Sequence, residues 1–371
     1  MEIPLIEPVT GREELDRVTD VIESGYLTQG DVAQEFETKF ATYVGTAAAV
    51  STTSCTTGME LVLDALDFGS GDEVILPDFT YPATANVVTR LGADPVLVDV
   101  DRETYNIDPA AARQAVTSRT AALLPVSWGG QPLDSGPLYD IADEYDIPIV
   151  EDAACGIGSA FDTTPVGSQF TASVFSFHPR KVLATGEGGM ITTDDEELER
   201  TIRSIKNFGT DPSGDQAGFI RADATNYRFS DVLAAIGVAQ LERVDEIITR
   251  RREIAAVYDD LFKSVDGVDT PTVVDGGKHN YQSYCVYIEG GDTSLRDTLI
   301  EKLADESIES QIGTFALSET TAFSDATRGS DLSTSKNLYH NLLTLPVSHS
   351  MTEADQRRVV DVVESEIESR T

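Results

Sequence analysis

A chain of 371 residues with 40% hydrophobic and 7% aromatic residues has enough apolar material for about two domains with real cores. Its 64 Asp and Glu against 27 Lys and Arg leave a formal charge of −37, spread along the whole length, which makes nucleic acid and anionic membranes poor partners. Only seven of the basic residues are Lys, a balance that points to a salt-loaded cytoplasm, with an ordinary acidic protein as the plainer alternative. Cys55, Cys155 and Cys285 are odd in number and show no C-x-x-C spacing, so neither a disulfide framework nor a metal knuckle is encoded. No basic-then-apolar leader opens the chain and no apolar run approaches the ~20 residues of a membrane span, so a cytoplasmic protein is expected.

In chain order, a short lead is followed by a helix over 12–24, a glycine-bounded turn over 25–30 and a second helix over 32–43. From 47 to 150, short apolar runs (47–50, 73–76, 95–98, 121–126, 147–150) alternate with helical patterns starting near Thr56, Pro82, Pro109 and Ser135. Strands apolar on both faces and separated by helices predict an α/β unit with a mostly parallel sheet, right-handed crossovers and helices on both sides. A helix over 194–206, a surface loop over 207–224 and one long helix over 230–262 follow. Beyond 265 come a strand over 284–288, a helix carrying Leu295, Leu299 and Leu303 in one row, a strand-like stretch over 308–312 and a last helix with Val359, Val363 and Ile367. The expected division is a large α/β domain, 1–264, with an N-terminal arm and the long helix as a bridge, and a smaller α+β domain, 265–371.

Three stretches can carry chemistry. Lys181 lies between an apolar run, 174–177, and a second apolar patch, 182–184, after a turn at Pro179. Apolar walls and the adjacent Arg180 charge both favour the neutral amine, which attacks an aldehyde; a solvated hairpin lysine is the alternative. Asp152 follows the 147–150 strand at its carboxyl end, where open parallel sheets place ligands, and its carboxylate suits a protonated ring nitrogen or, more plainly, a helix cap. The 51–58 run, Ser-Thr-Thr-Ser-Cys-Thr-Thr-Gly, joins a strand to a helix and clusters hydroxyls and N–H groups suited to a phosphate, or to simple N-capping, and Ser176 can add a hydroxyl. The glycines at 186, 188 and 189 do not make a dinucleotide loop, because Ile191 stands at the third glycine position. A lysine, a strand-end aspartate and a phosphate cradle match the aldehyde, ring nitrogen and phosphate of pyridoxal 5'-phosphate.

Glu151-Asp152-Ala153-Ala154, Ser176-Phe177-His178-Pro179-Arg180-Lys181, Thr185-Gly186-Glu187-Gly188-Gly189 and Asn226-Tyr227-Arg228 resemble the signature blocks of the DegT/DnrJ/StrS sugar aminotransferases, of fold type I. Weaker blocks, among them 71–75, 80–85, 106–109 and 234–237, agree in order and spacing over essentially the whole chain. The resemblance implies that Lys181 is the Schiff-base lysine and proton carrier and that Asp152 keeps the pyridine protonated. It implies that Tyr81 stacks on the ring, with a core tyrosine as the alternative, and that Thr56, the Cys55 and Thr56 backbone and Ser176 hold the phosphate. Asn226 would reach the phosphate of a second subunit in a homodimer whose sites are shared between chains, with a cap on the next helix as the alternative. Arg228 would take an anionic group, and His178 lies on the substrate side. The family usually has Gly at 55 and Ala-Leu at 58–59, where this chain has Cys55 and Gly58-Met59; it often has Gln or His at 155 and His at 127, where this chain has Cys155 and Ser127. The implied activity is transfer of an amino group, from glutamate, to a keto sugar carried on a nucleotide. A dehydratase of the same family would replace the lysine with His, and a silent binding protein on the same fold would carry no cofactor.

Overall fold

The computed structural model describes residues 2–213, 218–290 and 293–369. Its main sheet runs Thr327–Arg328, Asp94–Val98, Glu73–Pro77, Thr120–Leu123, Val150–Asp152, Ala172–Ser176, Gly189–Thr193, Ala48–Thr52. The two halves join through parallel bridges Leu123↔Ile149 and Val126↔Asp152. Neighbours are parallel as far as Ala172–Ser176; Gly189–Thr193 is antiparallel to both of its neighbours. The mostly parallel sheet is therefore as expected. The short edge strand Thr327–Arg328 comes from beyond residue 265 and has no signal in its sequence, since two exposed residues show no alternation.

Alternate side chains of the central strands enter opposite layers, as the period of two requires. Val174 and Ile191 pack with Met59, Leu61 and Val62 beneath the helices Cys55–Ala65 and Glu196–Ile205. Phe175, Phe177 and Met190 pack on the other face with Phe36, Phe40 and Phe229. Phe40 meets Phe175 edge-on at 5.0 Å and Phe36 meets Phe177 at 5.3 Å. Each fully buried ring contributes about 1.5–3 kcal/mol by area alone, so this face fixes the strand that leads to Lys181.

The expected single helix over 230–262 is two helices, Asp231–Glu242 and Val244–Phe262, broken at Arg243 (φ −126°, ψ 14°). No Pro or Gly marks the break. It falls where Gln240 and Arg243 reach the N-terminal arm: Gln240 Nε2 donates to Val9 O (2.6 Å) and Arg243 Nη2 to Glu14 (2.7 Å). The second helix begins in the cluster beneath the main sheet and ends, through Ile254, Tyr258 and Phe262, in the core of the C-terminal sheet. That sheet runs Val268–Asp269, Tyr284–Ile288, Leu342–Leu345, Gln311–Ile312, all antiparallel. The strand expected over 308–312 is confined to its last two residues, and Ile308 instead bridges Ile3 of the lead. The 207–224 loop carries bridges Asn207↔Asn226 and Thr210↔Phe219, while part of it lies outside the described residues. Among the described residues no helix is long and apolar enough to cross a membrane.

Candidate active site

Lys181 stands in a tight turn between Ala172–Ser176 and Gly189–Thr193, closed by its N–H donating to His178 O at 2.8 Å. Gln282, from a remote segment, holds the peptide groups on both sides: Val182 N donates to its Oε1 (2.9 Å) and its Nε2 donates to Arg180 O (2.6 Å). Asn280 Nδ2 donates to Cys155 O and Ile157 O at 2.7 and 2.8 Å. The Lys181 ammonium lies 3.2 Å from Cys155 Sγ. Burial pulls its pKa down, but Cys155, Asp152 and Cys55 outweigh burial and hold it above the ordinary lysine value. The expectation that walls and Arg180 make it neutral is thus corrected: the Asp152 carboxyl and the Cys155 and Cys55 sulfurs surround the amine, and the Arg180 guanidinium turns to Gln311 (3.1 Å).

Asp152 is 4% exposed. Its Oδ2 accepts from Thr84 Oγ1 at 2.7 Å, its Oδ1 from Ala154 N at 3.1 Å, and Cys55 Sγ is 3.8 Å away. No helix follows it, so the capping alternative reduces to the local Ala154 bond. Burial raises the carboxyl's pKa, against Thr84, the Ala154 N–H and Lys181, and the net shift is upward. The next residue back, Glu151, points the other way into bonds with Ser127 and Ser173, in keeping with strand alternation. Ser127 thus serves a buried carboxylate.

At the start of Cys55–Ala65, Ser54 is the N-cap: its Oγ accepts from Thr57 N (3.1 Å), and Thr57 Oγ1 accepts from Ser54 N (3.0 Å). The N–H groups of Cys55 and Thr56 have no partner among the described residues, as expected of a first helical turn. Gly189 lets the neighbouring strand press against this turn; a Cβ there would lie 2.6 Å from Cys55 N. Ser176, directly opposite Gly189, offers its Oγ nearby. Cys55 Sγ rests 3.3 Å from Val174 O, while a Cβ on Gly58 would lie 2.6 Å from Val174 Cγ1. Cys55 thus meets the backbone of Val174, and Gly58 leaves room for its side chain. Burial pushes the Cys55 thiol well up, so it acts as a neutral filler.

Tyr81 is 67% exposed, which removes the core alternative; its ring is 6.5 Å from Phe315. His178 is exposed, its Nδ1 accepts from Arg180 N (3.2 Å), and burial followed by the Lys181 and Arg180 charges lowers its pKa despite Glu187. Asn226 is exposed and does not cap the next helix, where Ser230 is the N-cap. Its Oδ1 accepts from Arg228 N, Tyr227 OH donates to Glu60, and Arg228 reaches Asn207 and lies over Phe208. Among the described residues none of these three contacts Lys181 or Asp152 of the same chain. The structure thus brings together Lys181, Cys155, Asp152 and Cys55, sets Thr56 and Ser176 beside them, and shows no contact of Tyr81, Asn226 or Arg228 with Lys181 or Asp152 among the described residues. Thr84, Asn280 and Gln282 were missed. Thr84 lay within a recognised block as a small polar residue in the first turn of a helix beside the sheet edge; nothing in sequence ties 280–282 to Lys181.

Residues 8–364 match the model of the DegT/DnrJ/EryC1/StrS aminotransferase family. The chain belongs to that family. This aminotransferase is 36% identical over 376 residues to the spore coat polysaccharide biosynthesis protein SpsC of Bacillus subtilis, covering 97% of this chain and 96% of the relative. Its structure is similar to the pyridoxal-phosphate form of the sugar aminotransferase Spr1654 of Streptococcus pneumoniae, described as putative, with a TM-score of 0.94, 27% identity and full coverage of both chains. It is also similar to DesI solved in the presence of its TDP-sugar product, with a TM-score of 0.91, 31% identity, and coverage of 100% of this chain and 95% of that one. The aminotransferase has fold type I and uses pyridoxal phosphate. Its donor set suits that group: free N–H groups at a helix start, a glycine where a side chain would intrude, a buried carboxylate and an amine.

Proposed function

We propose that the aminotransferase takes an amino group from glutamate and delivers it to a keto carbon of a nucleotide-linked sugar, for glycan or amino-sugar synthesis. The observation that carries this reading is the Lys181 amine in one buried cluster with Asp152, on a turn whose flanking peptide groups are fixed by Gln282. The TDP-sugar of DesI and the polysaccharide role in the SpsC name support the substrate class. When bound, pyridoxal phosphate supplies an electron sink for the carbon that loses its proton. Lys181 Nζ would hold the aldehyde end of that group and would move the proton of the substrate carbon. Asp152, aimed by Thr84, keeps the ring nitrogen protonated. The Cys55 and Thr56 N–H groups and the Thr56 and Ser176 hydroxyls bind the phosphate at the positive end of a helix. Tyr81 would cover the ring, Cys155 stays beside the amine, His178 would face substrate, and Arg228, apart from the site of its own chain, would take an anionic group of substrate in the partner's site.

The division into 1–264 and 265–371 fits this work, the first holding the cofactor and the second closing over it through Asn280 and Gln282. Asn226 serves the partner's phosphate in a two-fold dimer, because its contacts within its own chain lie elsewhere and two N–H groups with two hydroxyls leave phosphate lone pairs unmet. The acidic surface suits a salt-rich cytoplasm. Lys181→Ala should abolish transfer and the visible absorbance of lysine-linked cofactor at little cost in stability; comparable turnover would sink the assignment. Mixing Lys181→Ala chains with Asn226→Ala chains should restore activity, since one site per mixed dimer has both residues. Differentially tagged mixed dimers without recovery would place the whole site in one chain.

A further inference from the structure

The turn that carries Lys181 has a second cation at its corner. Arg180 is exposed, its carbonyl is fixed by Gln282, and its Nη1 donates to Oε1 of Gln311 at 3.1 Å. Among the described residues no carboxylate lies within ion-pair distance of it, although the chain has 64 acidic residues for 27 basic ones. Several arginines elsewhere are held by carboxylates: Arg102 by Asp269, Arg119 by Glu73 and Asp94, Arg203 by Glu37 and Glu199, Arg243 by Glu13 and Glu14. A neutral amide partner fixes the guanidinium without cancelling its charge, and leaves most of its five N–H donors for something else.

Gln311 also begins a segment that runs from the Lys181 turn to the stretch that carries Tyr81. Gln311–Ile312 pairs with Leu342–Leu345 of the C-terminal sheet, and four residues later Phe315 pairs with Thr80 and faces the Tyr81 ring. The segment is tied at one end to the residue before Lys181 and at the other to the residue before Tyr81.

We propose that Arg180 recognises an oxyanion of the substrate, with Gln311 as a neutral positioning residue that keeps the guanidinium in place. This rests on the aminotransferase reading above and adds the residue that selects an anionic substrate. A fixed planar fork matches a carboxylate or a phosphate by two parallel hydrogen bonds. A surface of charge −37 repels such an anion, so a cation kept free of carboxylates on this turn has an electrostatic reason. The oxyanion has two sources, the carboxylate of the amino donor and the phosphate of the nucleotide-linked sugar.

The test compares Arg180→Gln and Gln311→Glu with the wild type, each loaded with cofactor. Gln311→Glu sets a carboxylate on the guanidinium and cancels its charge without removing it. Both should keep the cofactor absorbance and melting temperature, and raise KM for one substrate about 10- to 100-fold, the loss of one charged hydrogen-bonded contact, with a smaller change in kcat. A rise confined to the amino donor, with weakened glutarate binding, assigns the carboxylate. A rise confined to the nucleotide sugar, with weakened binding of a nucleoside diphosphate, assigns the phosphate. KM values for both substrates within about twofold of the wild type in both variants would overturn the proposal. A wild-type protein that binds cofactor but transfers no amino group to any sugar would instead overturn the reading on which it rests.

Discussion

Thr84→Val removes one hydroxyl and almost no volume from the buried carboxylate at the centre of the site. Asp152 Oδ2 loses a 2.7 Å bond from Thr84 and keeps, on its other oxygen, the Ala154 N–H and the more distant Cys55 thiol. A hydrogen bond to a buried charged group contributes about 1.5–3 kcal/mol. With 371 residues and an unfolding entropy of about 2.1 cal/mol/K per residue, that loss lowers Tm by roughly 2–4 °C at pH 7. The pH dependence has a definite sign. Burial already raises the Asp152 pKa above its ordinary 3.8, so the fold is favoured by this group when it is protonated, and that contribution fades as pH rises through the folded value. Loss of Thr84 raises it further, so the deficit against wild type should be larger at pH 7 than at pH 4. Scanning calorimetry at both pH values reads the stability, and the pH profile of kcat reads the site, with a fall of about tenfold expected at neutral pH. Thr84→Ser restores the hydroxyl and should recover most of both. A valine variant with wild-type Tm at pH 7 and an unshifted rate profile would refute the role given to Thr84.

Asp152→Asn should retain cofactor yet lose most of its turnover, because an amide cannot keep the ring nitrogen protonated; wild-type kcat in a steady-state assay would contradict this. Glu37 is buried and accepts from Arg203 (2.8 Å) and Ser51, with Lys206 at 3.6 Å. Burial works to raise its pKa, but Lys206, Arg203 and Ser51 prevail and lower it, so its contribution is present above 4.5 and lost as pH falls through the lower folded value. Glu37→Gln should therefore cost about 3–5 kcal/mol at pH 7, a Tm loss of roughly 4–6 °C, with the gap closing in acid; an equal gap at all pH values would count against the pair. Gly58→Ala places a methyl 2.6 Å from Val174 Cγ1 and should destabilise by about 1–3 kcal/mol. Adding Val174→Ala should relieve part of that loss, and strictly additive losses in thermal melts would show that the two do not touch. A charge of −37 predicts a Tm that rises with potassium chloride as screening grows, and an unchanged Tm in dilute buffer would exclude self-repulsion as a factor.

The sequence by itself determined what depends on neighbours in the chain. The alternation of apolar runs and helical periods specified the parallel sheet, and the order of Asp152, Ser176, Lys181 and the Ser54 turn along it specified which edge carries chemistry, because parallel strands deliver their carboxyl ends to one side. What it did not contain was set by groups that meet only after folding. The break at Arg243 has no Pro or Gly to mark it and falls where Gln240 and Arg243 meet Val9 and Glu14, more than two hundred residues away. The Lys181 pKa was read from its sequence neighbour Arg180, whereas Cys155 at 3.2 Å and the buried Asp152 decide it, since Coulomb energy depends on distance in space and on the dielectric between charges. Asn280 and Gln282 carry no motif, and Thr84 shows nothing of its role within its block, for each acts through hydrogen bonds to distant partners, and such bonds exist only once the sheet has brought both ends together.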